Sequence, residues 1–274
     1  MQPERPILRY HGGKWLLAPW ILSHFPEHRV YCEPYGGAAS VLLQKPRSYG
    51  EVYNDLDGEV VNLFRVVRDH GEELKRRLEC TPFARDEFKM SYEATTDPIE
   101  QARRTVTRSF MGFGSTATLG AATGFRANSN RSGTTPSHDW MNFPPNVQLV
   151  MERLRGVVIE NKDAIQVLLQ HDSPDTMHYV DPPYVHETRD KGGDYKHEMT
   201  DDQHRQLAAT LSELTGMVLV SGYACPLYDE ELFAGWHRVE RPALADGARP
   251  RTEVLWMNEA CSDRQQRQQE RLFA

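Results

Sequence analysis

The sequence predicts an α/β fold: a parallel sheet flanked by helices, carrying one mostly helical insertion. Three observations predict it. Short apolar or β-branched runs alternate with stretches of helical period, as in a sheet whose strands are joined through helices. Acids stand at or just past four expected strand ends, Glu33, Asp55, Asp163 and Asp181, so they would share the carboxyl edge of one sheet. The alternation stops once, between about 81 and 145, and then resumes. Residues 1–80 and 146–274 therefore read as one discontinuous domain, and 81–145 as an insertion into it.

Each element follows from local chemistry. HRVYCEP (28–34) reads as a strand running into a turn, and GGAASVLLQK (36–45) as a helix start with small residues at its mouth. EVYNDLD (51–57) is a second strand ending in acids, and 58–80 a long amphipathic helix with Gly71 as a candidate break. Residues 81–113 read as helical and Arg-rich. Residues 114–145 hold many Gly, Ser, Thr, Asn and Pro, which suits a hairpin or mobile loop rather than core. GVVIE (156–160) is a strand, DAIQVLLQ (163–170) a helix and TMHYV (176–180) a strand running into Asp181. In 200–214 a helix is predicted, with Thr200 as N-cap and Gln203 completing a capping box. GMVLVSG (216–222), WHRVE (236–240) and TEVLWMN (252–258) are the last strands, and the polar end from Ser262 is a loose helix or a tail.

Composition sets outer bounds. The 274 residues suffice for one sizeable core with a smaller subdomain. The net charge of −7 gives no global basic field, so a polyanion site must come from local charge. Cys32, Cys80, Cys225 and Cys261 are far apart and form no CxxC or Cys/His cluster, which argues against a zinc site and a disulfide framework and fits a reducing cytoplasm. The start, MQPERPILRY, has no apolar segment of a signal peptide, and no run approaches membrane-spanning length.

Several stretches carry chemistry. HYVDPPYV (178–185) ends a strand with two prolines, which donate no backbone hydrogen bond and fix φ. The Asp181 carboxylate and the Pro182 carbonyl then become two fixed acceptors, with Pro183 stiffening the loop and the Tyr184 ring beside them. That array suits a planar amino group on an aromatic ring; an ordinary strand-end turn is the competing reading. In EPYGGAASV (33–41), Gly36 and Gly37 permit close backbone approach to a ligand, or simply a tight turn. Asp55 lies roughly 20 residues beyond those glycines, where nucleotide-binding folds grip ribose hydroxyls. The alternative for this stretch is a helix cap, which Asp57 could serve instead. RYHGGKW (9–15) sets paired glycines beside Tyr10 and Lys14, as in a loop closing over a ligand or a plain turn. Asp163 could accept from an adenine amino group or cap the following helix.

RYHGGK, EPYGGAAS, YNDLDGEVVNLF and VDPPY, in this order and spacing, resemble the Dam-type (D12 class) DNA adenine-N6 methyltransferases. VLVSGYACPLYDEEL and RTEVLWMN resemble the phage-like members, and the likeness covers most of residues 7–258. The order (cofactor motif, target-recognition insertion, DPPY) is that of the alpha group. One departure is Ala39, where the family usually carries a second glycine. The resemblance implies a Rossmann-like methyltransferase sheet with a target-recognition insertion, S-adenosyl-L-methionine as methyl donor, no metal, and double-stranded DNA as partner to a cytoplasmic monomer or homodimer. By motif, Tyr10 and Lys14 would sit at the cofactor and target base. Glu33, Tyr35 and Gly37 would line the methionine end, Asp55 would hold the ribose and Asp163 would meet the adenine ring. Asp181, Pro182, Pro183 and Tyr184 would form the catalytic loop, with Tyr184 stacked on a flipped base.

Local charge agrees with a DNA-facing insertion: Arg103, Arg104, Arg108, Arg126 and Arg131 lie between Gln101 and His138, with no Asp or Glu there. Arg126, Asn128 and Arg131, in GFRANSNRSG, are candidates for base contacts, as is Arg9. Arg103, Arg104 and Arg108 would serve phosphates or the insertion's own packing. Rival readings are N4-cytosine methylation, RNA or protein-glutamine methylation, a NAD-type oxidoreductase, and a DNA-binding protein without catalysis. An acid opening the DPPY loop favours adenine over cytosine, and the absent GxGxxG argues against NAD.

Overall fold

The computed structural model describes residues 2–114, 123–128, 130, 133–189, 196–245 and 249–273. Its helices are α1 (Ala18–Leu22), α2 (Ser40–Gln44), α3 (Gly58–Glu79), α4 (Arg85–Met90), α5 (Pro98–Met111), α6 (Pro136–Met141), α7 (Pro145–Leu154), α8 (Ala164–Gln170), α9 (Asp201–Glu213) and α10 (Glu259–Phe273). Its strands are β1 (Val30–Glu33), β2 (Gly50–Asn54), β3 (Val157–Glu160), β4 (Thr176–Val180), β5 (Met217–Tyr223), β6 (His237–Ala245) and β7 (Arg249–Met257). By packing, the chain divides into a helical unit (1–15, 37–44 and 57–155) and a sheet unit (16–36, 45–56 and 156–274).

In the helical unit, α3 starts where the Asp57 carboxylate accepts the Glu59 amide at 2.9 Å. Its dihedrals break at His70 (φ −136°, ψ 28°), one residue before the glycine that predicts the break. Gly71 permits the close approach of α7, since a Cβ there would lie 2.7 Å from Met151 Sδ. α5 is capped by Asp97 and buries Ala102, Val106 and Phe110 at i, i+4 and i+8. Its arginines are held within this unit: Arg103 pairs with Glu100 and Glu87, Arg104 with Glu100, and Arg108 with Glu59.

The stretch 114–145 is not all surface loop. Trp140 and Phe143 are buried, with ring centroids 6.1 and 4.3 Å from that of Phe110, and Trp140 Nε1 donates to the Thr81 carbonyl at 2.8 Å. The polar composition of the whole window conceals two aromatics three apart, the first on a short helix capped by Thr135.

The sheet unit holds seven strands in the order β3-β2-β1-β4-β5-β7-β6. β1 pairs in parallel with β2 on one edge and with β4 on the other, and only β7 and β6 depart from the parallel core, through antiparallel pairings. β4 is buried along its full length and β5 at all but its last residue, as expected for central strands covered on both faces. One face packs Val180, Val218, Val220 and Trp256 against Leu207 and Leu211 of α9. The predicted Thr200–Gln203 capping box starts that helix. The polar C-terminal stretch is helical, as α10.

One polar staple fixes the amino end of the central strands. Asp172 accepts from the amides of Thr215 and Gly216 at 2.8 and 2.9 Å, holding the lead-in to β5. It also lies 3.3 Å from Nε2 of the fully buried His178 on β4, which places the imidazole proton on that nitrogen. Burial lowers His178 to about 4, against 6.5 for an exposed imidazole, and likewise lowers His204 on α9 to about 4. Between those values the unfolded chain binds protons that the folded one does not. This contribution to stability is therefore complete above pH 6.5 and is lost as pH falls toward 4, at roughly 1.4 kcal/mol per histidine for each pH unit. Melting temperatures followed by circular dichroism from about pH 7.5 to about 4.5 should fall along that limb, and His178→Asn should make it shallower.

Candidate active site

Outward from β1 the chain order runs to β2 and β3 on one side and to β4 and β5 on the other, so strand order reverses between β1 and β4. Sheets of this kind bind ligands outside the carboxyl ends of the strands at such a reversal. Within the sheet unit those ends carry Glu33 on β1, Asp55 just after β2, Asp163 shortly after β3 and Asp181 just after β4. The four acids singled out from the sequence thus do share one edge.

The loops after β1, β2 and β3 are tied to one another. Gly36 donates its amide to the Asn54 carbonyl at 2.8 Å, and a Cβ at Gly36 would sit 2.1 Å from the Tyr53 ring. Asn54 Nδ2 donates to the carbonyls of Pro34 and Lys162 at 2.9 and 3.0 Å, and its Oδ1 accepts the Lys162 amide at 2.9 Å. Asn161 reaches back to the Asp55 carbonyl at 2.8 Å. The buried Glu33 accepts from the Tyr31 hydroxyl at 2.8 Å. Asp57, not Asp55, caps α3. Asp163 does cap α8, accepting the amides of Ile165 and Gln166 on Oδ1. Tyr35 packs against the core, and burial, with the nearby Asp163 charge, pushes its phenol up.

After β4, Asp181 Oδ1 accepts from Ser221 Oγ at 2.7 Å, and Ser221 Oγ lies 3.0 Å from the Tyr179 hydroxyl. Pro182 is buried and Pro183 half-buried. Tyr184 is buried too. Its hydroxyl donates to the Glu253 carboxylate, and its ring meets Tyr223 edge-on with centroids 4.7 Å apart. Asn54, Tyr179, Ser221, Tyr223 and Glu253 contact the candidate residues or their loops, and the sequence motifs do not single them out. The available signal is polar residues at alternate positions of otherwise apolar strands: Tyr179 and Asp181, Ser221 and Tyr223.

Tyr10, Lys14, Gly37, Arg9, Arg126 and Asn128 belong to the helical unit. There the Tyr10 ring lies against Gly37 (φ +48°), where a Cβ would stand 2.9 Å from it. Lys14 is buried and donates to the Gly12 carbonyl at 2.8 Å. Arg9 donates its amide to Ser109 on α5 at 2.6 Å, anchoring the RYHGGK loop. Ala39 holds φ +53°, alone among the described non-glycine residues in being positive. Arg126 donates from Nη1 to the Phe110 carbonyl at 3.0 Å, and Asn128 accepts the Asn130 amide at 2.9 Å. Arg131 lies outside the described residues. Among the described residues, no three His, Cys, Asp or Glu side chains are grouped to hold a metal.

Comparison with known proteins gives a family. Residues 10–241 match the model of the D12 class N6 adenine-specific DNA methyltransferases. A DNA adenine methylase of Serratia marcescens is 29% identical over 111 residues, covering 37% of this chain and 40% of that protein. Those of Escherichia coli strain K12 and Vibrio cholerae are 30% and 32% identical over 73 and 69 residues, covering 27% and 25% of this chain. The chain thus aligns with less than half the length of the curated relatives it matches, 26% and 24% for the latter two.

The Gly36–Ala39 turn generates a contrast in stability. Gly36→Ala drives a methyl into a fully buried tyrosine and a backbone carbonyl, and should cost about 1–3 kcal/mol. Ala39→Gly relieves a left-handed residue while deleting one buried methyl, two effects of about 1 kcal/mol in opposite directions, and should change stability by less than ~1 kcal/mol. Urea unfolding of the two variants checks both values.

Proposed function

The chain belongs to the D12 class N6 adenine-specific DNA methyltransferase family, and on that premise we propose that it transfers a methyl group from S-adenosyl-L-methionine to the N6 amino nitrogen of an adenine flipped out of double-stranded DNA. The observation that carries this reading is Asp181, held by Ser221 at the carboxyl end of β4 beside β1, with the buried Pro182 next to it.

The donor set suits the proposed cofactor. Its sulfonium, ammonium, ribose hydroxyls and adenine amine are all cationic or hydrogen-bond donors. Glu33, Asp55, Asp163 and Asp181 place carboxylate acceptors at four adjacent strand ends. Glu33 with Tyr35 would hold the methionine end, Asp55 the ribose, and Asp163 the adenine through the oxygen that does not cap α8. Tyr10, Lys14 and Gly37 are also proposed as cofactor-binding residues. When bound, the cofactor supplies a methyl on a sulfonium, a leaving group that keeps the bonding pair as it becomes a neutral thioether.

The protein's part is positioning. The N6 lone pair of adenine is delocalised into the ring. Asp181 and the Pro182 carbonyl accept the two amino protons, which favours a pyramidal nitrogen with its lone pair directed at the methyl. The N6 proton becomes acidic only as the new C–N bond forms, and Asp181 stands ready to accept it. Tyr184, fixed through its hydroxyl, is proposed to stack on the base once the base enters the site. For DNA contact, Arg126 retains guanidinium donors beyond the one on the Phe110 carbonyl, Asn128 is exposed, and Arg131 and Arg9 complete the proposed set.

Asp181→Ala should lower tritiated-methyl incorporation into DNA by ~10²–10³-fold with an unchanged thermal melt. Activity within tenfold of wild type would remove Asp181 from the acceptor role. Asp55→Ala should weaken cofactor binding in calorimetry by about 1.5–3 kcal/mol and leave DNA affinity in place. Long-read sequencing of DNA from cells expressing the chain identifies the base and its context together. N4-methylcytosine there would favour the rival chemistry.

A further inference from the structure

We propose that Ser221 is a positioning residue for this transfer, the middle link of a Tyr179–Ser221–Asp181 relay that assigns one Asp181 oxygen to the protein and so fixes the orientation in which the carboxylate meets the substrate amine. This rests on the adenine reading given above. The direction of the relay follows from counting protons. A carboxylate only accepts, so the single hydroxyl proton of Ser221 points to Asp181 Oδ1 at 2.7 Å. Ser221 Oγ must then accept from the Tyr179 hydroxyl at 3.0 Å. Burial pushes the Tyr179 phenol well up, so it keeps the proton it donates.

Tyr179 is 1% exposed and Ser221 0%, so the relay works without competing water. Rotation about the last bond of an aspartate is soft and nearly two-fold, so the plane of the carboxylate is set by the donors around it. Ser221, fixed on β5, is one such donor. The relay spans two paired parallel strands, with Tyr179 opposite Leu219 in register, so sheet geometry sets its dimensions. No proton is transferred along it during the reaction. Its effect is to hold an acceptor where N6 needs one, which bears on kcat rather than on substrate affinity.

The test combines kinetics with a readout independent of activity. Ser221→Ala should lower kcat by ~10–100-fold, with KM for DNA and cofactor within about threefold of wild type. Ser221→Thr, which keeps the hydroxyl, should recover most of the rate. Tyr179→Phe should give a smaller loss, and the double variant should be no slower than Ser221→Ala alone, because Tyr179 acts through Ser221. Independently, the Asp181 carboxyl carbon, labelled with carbon-13 and identified by loss of its signal in Asp181→Asn, should shift in Ser221→Ala. A wild-type kcat in Ser221→Ala, additive losses in the double variant, or an unmoved Asp181 resonance would each overturn the relay. If wild type methylates no adenine while that resonance still responds to Ser221, the adenine reading fails and the relay stands.

Discussion

The sheet unit depends on one constraint: β1, only four residues long, is paired in parallel along both edges. Parallel neighbours cannot be joined by a tight hairpin, so the chain must leave the sheet after β1 and return elsewhere. It first runs outward through β2 and β3, then comes back to the opposite edge as β4. The loops after β1 and β4 therefore diverge, and the edge between them stays open. Glu33 and Asp181 are set there by strand order before any detail of their side chains matters. Asn54 then ties together the loops of the β1–β2–β3 side, while β5 and β7 hold the loop after β4.

Much of this is legible in the sequence. Strands 1 to 5 announce themselves as short apolar runs, and the acids at their ends mark one edge because parallel strands all finish there. The capping box at Thr200 can be read from two residues. What cannot be read is what long-range pairing decides. β7 enters the sheet between β5 and β6, and nothing in RTEVLWMN says which strands it will separate. Ser221 and Glu253 look like incidental polar residues until β4–β5 pairing brings the first to Asp181 and β5–β7 pairing brings the second to Tyr184. Trp140 and Phe143 are obscured by the Gly- and Ser-rich stretch around them, because composition averages over a window while burial acts on single side chains. Asp163 shows a different limit: the cap and the ligand acceptor look like alternatives, yet a carboxylate has two oxygens and one suffices for the helix.

The edge also shows how buried and half-buried acids are accommodated. Glu33 is met by the Tyr31 phenol, Asp181 by a serine hydroxyl and Glu253 by the Tyr184 phenol. The phenols of Tyr31, Tyr179 and Tyr184 are held protonated by their own burial together with the acids beside them. Burial without such donors would cost each acid several kcal/mol and favour its neutral form. Phenol and carboxylate thus stabilise each other's opposite states, and the same pairings orient both groups.

The Tyr184–Glu253 contact joins residues 69 positions apart in the chain. On a ribosome adding about 5–20 residues per second, the DPPY loop is made roughly 4–14 seconds before the acid that fastens it. Throughout that interval Tyr184 lacks its final partner. The tyrosine can be locked only once β7 has been made and paired with β5. A nascent chain stalled before codon 253 would carry every residue of the DPPY motif and still lack the contact that fastens its tyrosine.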